Sequence, residues 1–214
     1  MSLSTFTRFF MVVVVDYGMG NLRSILYKLS KFKLEAIASS SPADIRRADK
    51  LILPGVGHFA KGMENLRKFG LLEILNERVL GDKIPILGIC LGVQLFTKHS
   101  EEGDVAGLGW VDAATRRFSF PEGMQQLRIP HIGWNTVKLR RPSRFWPEFP
   151  PEKRFYFVHS YHISCSDPRD VVGVSDYGCE FVSILEKGNI FGTQFHPEKS
   201  HRDGFAVLSH FVRS

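Results

Sequence analysis

Cys90 lies in Gly88-Ile89-Cys90-Leu91-Gly92, directly after the apolar run Ile84-Pro85-Ile86-Leu87. Such a run reads as a buried parallel strand, and the cysteine falls where that strand must turn sharply into a helix. Glycines on both sides leave room for the strained backbone of a nucleophile elbow. The helix N-terminus behind it favours thiolate, the nucleophilic form, over thiol. By itself a cysteine is more often a small buried hydrophobe. A base decides the matter, and Phe195-His196-Pro197-Glu198 supplies one after the apolar stretch Ile190-Phe191-Gly192-Thr193-Gln194. A histidine at a strand end with an acid two residues on is a base with its orienting carboxylate. Pro197 fixes one backbone dihedral between them. Cys90, His196 and Glu198 are the expected catalytic triad.

Pro54-Gly55-Val56-Gly57 follows another apolar strand end, where open α/β sheets place their ligands. It is either an ordinary glycine-rich turn or an oxyanion strand. In the second reading Gly55 tolerates a peptide flip that presents the Val56 N–H beside that of Leu91 to a tetrahedral oxyanion. Asp16-Tyr17-Gly18-Met19-Gly20-Asn21 has too few glycines for a nucleotide loop. A structural role or one at the edge of the active site is expected of it. His159 and His162 suggest a metal, but positions three apart on a strand face opposite sides, so no metal is expected.

The elements that must carry these residues follow from periodicity. Residues 12–15, 34–38 and 50–53 read as strands. Leu22, Ile25, Leu26, Leu29 and Phe32 have helical spacing behind Asn21, and Met63, Leu66, Leu71, Leu72 and Leu75 suggest helical cover before the Cys90 strand. Alternating strand and helix predicts an α/β fold with an open, mostly parallel sheet flanked by helices. From Gly107 onward short strands broken by Pro and Gly, over 133–139, 155–159 and 171–174, predict an antiparallel extension in the C-terminal half. Residues 142–150 and Pro151, rich in Pro and aromatics, read as a loop.

With 214 residues, 43% of them hydrophobic, the chain can bury one sizeable core, read as a single domain over 11–214. Residues 1–10 read as a leader or vector-derived extension. The apolar stretch 9–15 is too short for a signal peptide and lacks a small-residue cleavage site. An odd count of cysteines (Cys90, Cys165 and Cys179) without Cys-x-x-Cys spacing argues against a disulfide framework and suits a reducing cytoplasm. The formal net charge of +6 is scattered along the chain and not concentrated on one element, which excludes the usual nucleic-acid footprint. No run is long enough for a membrane helix.

The two site segments, with Gln94 beside the first, resemble the signatures of class I glutamine amidotransferases, a flavodoxin-like fold. Within that family the chain is most similar to the glutaminases that serve an imidazole glycerol phosphate synthase. Glu101-Glu102-Gly103, Gly107-Leu108-Gly109-Trp110, Pro130-His131-Ile132-Gly133-Trp134-Asn135 and Phe157-Val158-His159-Ser160-Tyr161 also carry the resemblance, which spans all but the first ten residues. Val93, Ile132 and His201 depart from the usual pattern, and His201 is similar to a paralogous branch serving surface-sugar amidation. The resemblance implies glutamine as substrate, no cofactor, and a heterodimer with a (β/α)8-barrel cyclase subunit that receives the ammonia in histidine biosynthesis. It implies that Gly55, Gln94, Glu102, Ser160 and Tyr161 bind the substrate, and that Met19, Trp134 and Tyr156 meet the partner. Core packing is the competing expectation for Trp134. Rival readings are a surface-sugar amidotransferase as client, a non-catalytic glutamine sensor, and a free-standing hydrolase of γ-glutamyl compounds.

Overall fold

The computed structural model describes residues 10–120, 123, 127–150 and 152–214, so the expected extension lies outside the described residues except for Phe10. Strand β1 (Met11–Val15) is buried along its whole length. Successive strand residues point to opposite faces, so Met11, Val13 and Val15 join one core and Val12 and Val14 the other. The first core is shared with α2 (Pro42–Arg47), α3 (Phe59–Lys68) and α4 (Leu71–Asn76), the second with α1 (Leu22–Leu29) and α6 (His201–Arg213). Each fully buried valine contributes about 1.5–3 kcal/mol, which is why an unbroken Val run suits a strand covered on both sides.

The parallel half contains β2 (Glu35–Ser39), β3 (Lys50–Leu53) and β4 (Ile86–Ile89), with short helix α5 (Leu91–Gln94) after β4. The remaining strands are β5 (His99–Ser100), β6 (Val105–Ala106), β7 (Ala113–Arg117), β8 (His131–Leu139), β9 (Glu152–His159) and β10 (Tyr161–Cys165). They are followed by β11 (Val171–Asp176), β12 (Glu180–Lys187) and β13 (Ile190–Thr193). Order along the sheet is β2-β1-β3-β4-β13-β12-β10-β7-β5-β6, with β11, β8 and β9 branching from β12. Pairing is parallel from β2 to β13 and antiparallel at β13–β12 and β12–β10. The α/β class and the antiparallel extension are therefore both present.

Two local differences have plain causes. The helical cover expected over 63–75 is two helices, because Gly70 adopts φ 66° between α3 and α4 and turns the chain. Helices α2 and α6 add to the expected elements. In α6 the buried residues Gly204, Val207, Leu208, Phe211 and Val212 form one apolar stripe. Its end is closed by the buried Lys50 ammonium, which donates to the Phe211 carbonyl at 2.6 Å. Among the described residues no helix is long and apolar enough to cross a membrane.

Candidate active site

Register builds the site. Gly88 of β4 lies opposite Leu53 of β3 and Gly192 of β13, and Ile89 lies opposite Thr193. Three parallel strands thus end together, and their following residues, Pro54-Gly55-Val56, Cys90 and Gln194-Phe195-His196, share one carboxyl edge. The Cys90 N–H donates to the Thr193 carbonyl at 2.8 Å, joining the strand before Cys90 to the strand before His196. Cys90 itself carries the strain, with φ 53° and ψ −111°. Its flanking glycines serve closeness: a Cβ on Gly92 would sit 1.8 Å from the Leu53 carbonyl oxygen, and one on Gly88 would sit 2.6 Å from Val93 Cα. The helix behind Cys90 is a single turn, so its dipole is small.

His196 Nδ1 and Glu198 Oε1 are 2.8 Å apart and both side chains are buried. Among the described residues His196 Nε2 has no hydrogen-bond partner. Burial pushes the imidazole pKa down, but the Cys90 charge and Glu198 outweigh it and raise it to about 10. Both influences favour the imidazolium, the form able to give up a proton. Its backbone is tied to β9: the His196 N–H donates to Tyr156 O at 2.9 Å, and Ser200 Oγ donates to His196 O at 2.6 Å. Cys90 Sγ stands 3.7 Å from Val158 O and accepts from Gln194 Nε2 at 3.7 Å. Burial, with a smaller effect of Asp170, pushes the Cys165 thiol up to about 12, and burial raises that of Cys179 as well. All three cysteines are free.

Gly55 is pressed against the turn that follows Cys90. A Cβ there would meet Tyr17 Oη at 2.6 Å, Leu91 Cβ at 2.7 Å and Gly92 N at 2.9 Å. The buried Tyr17 hydroxyl donates to Pro54 O at 2.6 Å, and burial raises its pKa far above the ordinary phenol range, so it remains a donor. This gives the 16–21 turn its place at the site edge. As the first residue of α5, Leu91 has an N–H with no helical acceptor.

A cavity of about 490 Å³ opens over Cys90, lined by Val56, Leu91, Gln94, Glu102, Ser160 and Tyr161 among others. Its size is within the range of small-molecule pockets. Gly55 and His196 are not among its lining residues, and Glu198 lines a separate cavity beside α1. Gln94 spends both amide hydrogens inside the protein, on Tyr161 O at 2.8 Å and Gln194 Oε1 at 3.1 Å, leaving Oε1 as an acceptor. Glu102 is no merely solvated loop acid: its Oε2 accepts from the Phe59 N–H at 2.8 Å and closes the first turn of α3. Sequence reasoning missed the parts played by Tyr17, Gln194, His131 and His159. The first two adjoin recognised segments, but nothing local signals what they touch.

Trp134 is 40% exposed, which removes the core expectation for it. Its ring stacks on His201 with centroids 5.1 Å apart and meets Tyr156 edge-on at 6.3 Å. Met19 sits instead against Gly57. One correction concerns the histidines. The chain bends at Ser160 between β9 and β10, resetting the alternation, so His159 and His162 both face Phe118, at 5.2 and 4.7 Å. Among the described residues no group of three or more His, Cys, Asp or Glu side chains is placed to hold a metal.

A family model for class-I glutamine amidotransferases matches residues 13–213. The chain is 44% identical over 203 residues to the imidazole glycerol phosphate synthase subunit HisH 2 of Methanococcus maripaludis, covering 95% of this chain and 99% of that protein. It is 44% identical to the subunit of the same name from Pseudomonas aeruginosa, covering 94% and 98%, and 38% identical to the HisH subunit of Leptospira interrogans, covering 94% and 99%. Among solved structures, one glutamine amidotransferase superposes with a TM-score of 0.72 at 17% identity, covering 94% of this chain and 97% of that one. The PurLQS structure from Thermotoga maritima contains a chain that superposes with a TM-score of 0.70 at 19% identity, covering 96% and 99%. At such identities these structures speak for the fold. The chain belongs to the class-I glutamine amidotransferase family, in the branch of the imidazole glycerol phosphate synthase HisH subunits.

Proposed function

We propose that this chain hydrolyses glutamine through Cys90, His196 and Glu198 and passes the ammonia to a (β/α)8-barrel cyclase subunit making imidazole glycerol phosphate in histidine biosynthesis. The observation that carries the chemistry is the shared edge of β4 and β13, where the Cys90 turn adjoins a His196 oriented by Glu198 at 2.8 Å. The client is supported by the names of relatives matched over nearly their whole length.

The Cys90 thiolate attacks the side-chain amide carbon of glutamine, and the carbonyl electrons move to oxygen. The N–H groups of Val56 and Leu91 stabilise that oxyanion, each donor worth about 2.7–4 kcal/mol in the transition state. The His196 imidazolium gives its Nε2 proton to the leaving nitrogen as the C–N bond breaks, releasing ammonia and leaving a glutamyl thioester. Water then attacks the thioester, His196 takes its proton, and the C–S bond breaks to give glutamate and the free thiolate. Gln94 Oε1 and Glu102 receive the substrate's α-ammonium, with Ser160 and Tyr161 closing the pocket. Met19, Trp134 and Tyr156 face the partner.

The test is Cys90→Ala in the complex assembled with its cyclase. Glutamine hydrolysis should be abolished while synthesis from supplied ammonia persists, and an electrophilic glutamine analogue should label Cys90 and spare Cys165 and Cys179 in the unsubstituted chain. Substantial residual glutaminase activity in the variant would falsify the triad. A second reading keeps the chemistry and changes the client to a surface-sugar amidotransferase. His201 favours it, since this departure from the usual pattern stacks directly on Trp134. Co-purification from the native cell, followed by identification of the bound protein, separates the two.

A further inference from the structure

Two buried histidines beside the candidate site are not used by the chemistry above. His131 on β8 and His159 on β9 are cross-strand partners, 3% and 6% exposed, with His131 Nδ1 3.0 Å from His159 Nε2. The direction of this hydrogen bond is forced from both ends. At one end Asn135 is fixed by its own bonds: Oδ1 accepts from the Thr136 N–H at 2.7 Å and Nδ2 donates to Asp176 O at 2.8 Å. Its Nδ2 also lies 3.3 Å from His131 Nε2, so that nitrogen must accept, and His131 must carry its proton on Nδ1. At the other end, His159 Nδ1 lies 2.8 Å from Tyr161 O, a carbonyl that can only accept. His159 therefore also carries its proton on Nδ1 and accepts at Nε2. The two constraints, derived independently, agree.

The rings are held for this purpose. His131 is stacked between Tyr177 and Phe157, at 4.1 and 5.2 Å, which opposes a ring flip. Burial lowers His131 to about 4 and is the main cause that lowers His159 to about 3, so both rings are neutral at pH 7 and each can accept as well as donate. The relay ends on Tyr161 O, the same oxygen that receives Gln94 Nε2 at 2.8 Å. From Gln94 the bonds continue to Gln194 Oε1, and Gln194 Nε2 reaches Cys90 Sγ.

We propose that His131 and His159 are positioning residues: a one-directional relay from Asn135 that holds the Tyr161 carbonyl and, through it, the Gln94 amide in the wall of the glutamine subsite. The proposal rests on the glutaminase reading. It places the start of the relay on β8, one residue from Trp134, so displacement of that strand is transmitted to the subsite through directed bonds. Losing the His131 donor leaves His159 Nε2 buried and unpaired and loosens Tyr161, while Cys90, His196 and Glu198 keep their own contacts. Binding should suffer more than chemistry.

The test combines nitrogen NMR with kinetics on the chain assembled with its cyclase. In the unsubstituted protein at pH 7, both side chains should show the neutral Nδ1–H tautomer, opposite to the Nε2–H form that free histidine favours. His131→Phe should raise the KM for glutamine roughly three- to tenfold, as one net hydrogen bond implies, with kcat changed less than about twofold. His131→Asn, whose amide can stand where Nδ1–H stood, should recover most of the loss. An Nε2–H or protonated form at either ring would overturn the relay. So would an unchanged KM in His131→Phe, a loss confined to kcat, or no recovery with Asn. If the Phe variant does not fold, the spectrum and the Asn variant still decide. Absence of glutamine hydrolysis in the unsubstituted complex would overturn the functional reading instead, and the spectrum would judge the relay alone.

Discussion

Glycine in place of Cys90 should make an inactive protein more stable than alanine does at the same position. Cys90 sits at φ 53° and ψ −111°, well away from the left-handed helical well near ψ of about +47°. A side-chain-bearing residue held in such a region costs about 1–3 kcal/mol, with this ψ arguing for the upper part of that range. Alanine retains the cost, whereas glycine removes it. Against that relief, glycine loses about 0.4–1 kcal/mol through the freedom of its unfolded chain, and up to about 0.8 kcal/mol for one buried methyl. The balance favours glycine by about 1 kcal/mol, or roughly 2–4 °C in Tm for a domain of this size. Both variants lack the sulfur, so the altered ionisation of His196 cancels in the comparison. Thermal and denaturant unfolding of the two, each compared with the parent, measure it. If Cys90→Gly melts at or below Cys90→Ala, the elbow stores no strain and the account of its geometry fails.

Gly92→Ala should cost about 3 kcal/mol or more, since its Cβ would lie 1.8 Å from a backbone oxygen that no rotamer change can move; parental stability in a melting experiment would count against the close packing of β3 on α5. Trp134→Ala should leave the isolated chain's Tm nearly unchanged but weaken cyclase binding by about 2 kcal/mol, roughly 30-fold in Kd by calorimetry; unfolding of the isolated variant would refute the exposed role. His196 should remain protonated at pH 8 in NMR titration and deprotonate at lower pH in Cys90→Ala, because the Cys90 charge is the largest influence raising its pKa to about 10. An unchanged titration in that variant would show that the two groups are not coupled.

Much of the candidate site was legible in the chain because it is written in local geometry. A strand, a turn and a helix start lie within a few residues of Cys90, and His196 and Glu198 are two residues apart with a proline between. Alternating strand and helix likewise pointed to a sheet flanked by helices, with residues 12–15 as one of its strands, and β1 is buried along its whole length as such a covered strand should be.

What only the tertiary structure decided is which distant segments share an edge. Nothing local says that β13 pairs with β4 in the register Thr193 to Ile89, yet that pairing is what puts His196 beside Cys90. The same holds for Tyr17 on Pro54, Gln194 on Gln94, and His131 on His159, each joining residues far apart in the chain. The reading of His159 and His162 as opposed in direction failed for a related reason: strand alternation holds only while the strand continues, and Ser160 interrupts it. Residue types and local periodicity specify what each segment can do. Directions, partners and proton positions depend on packing across the sheet, because a hydrogen bond is set by where its second atom lies and not by where its first stands in the sequence.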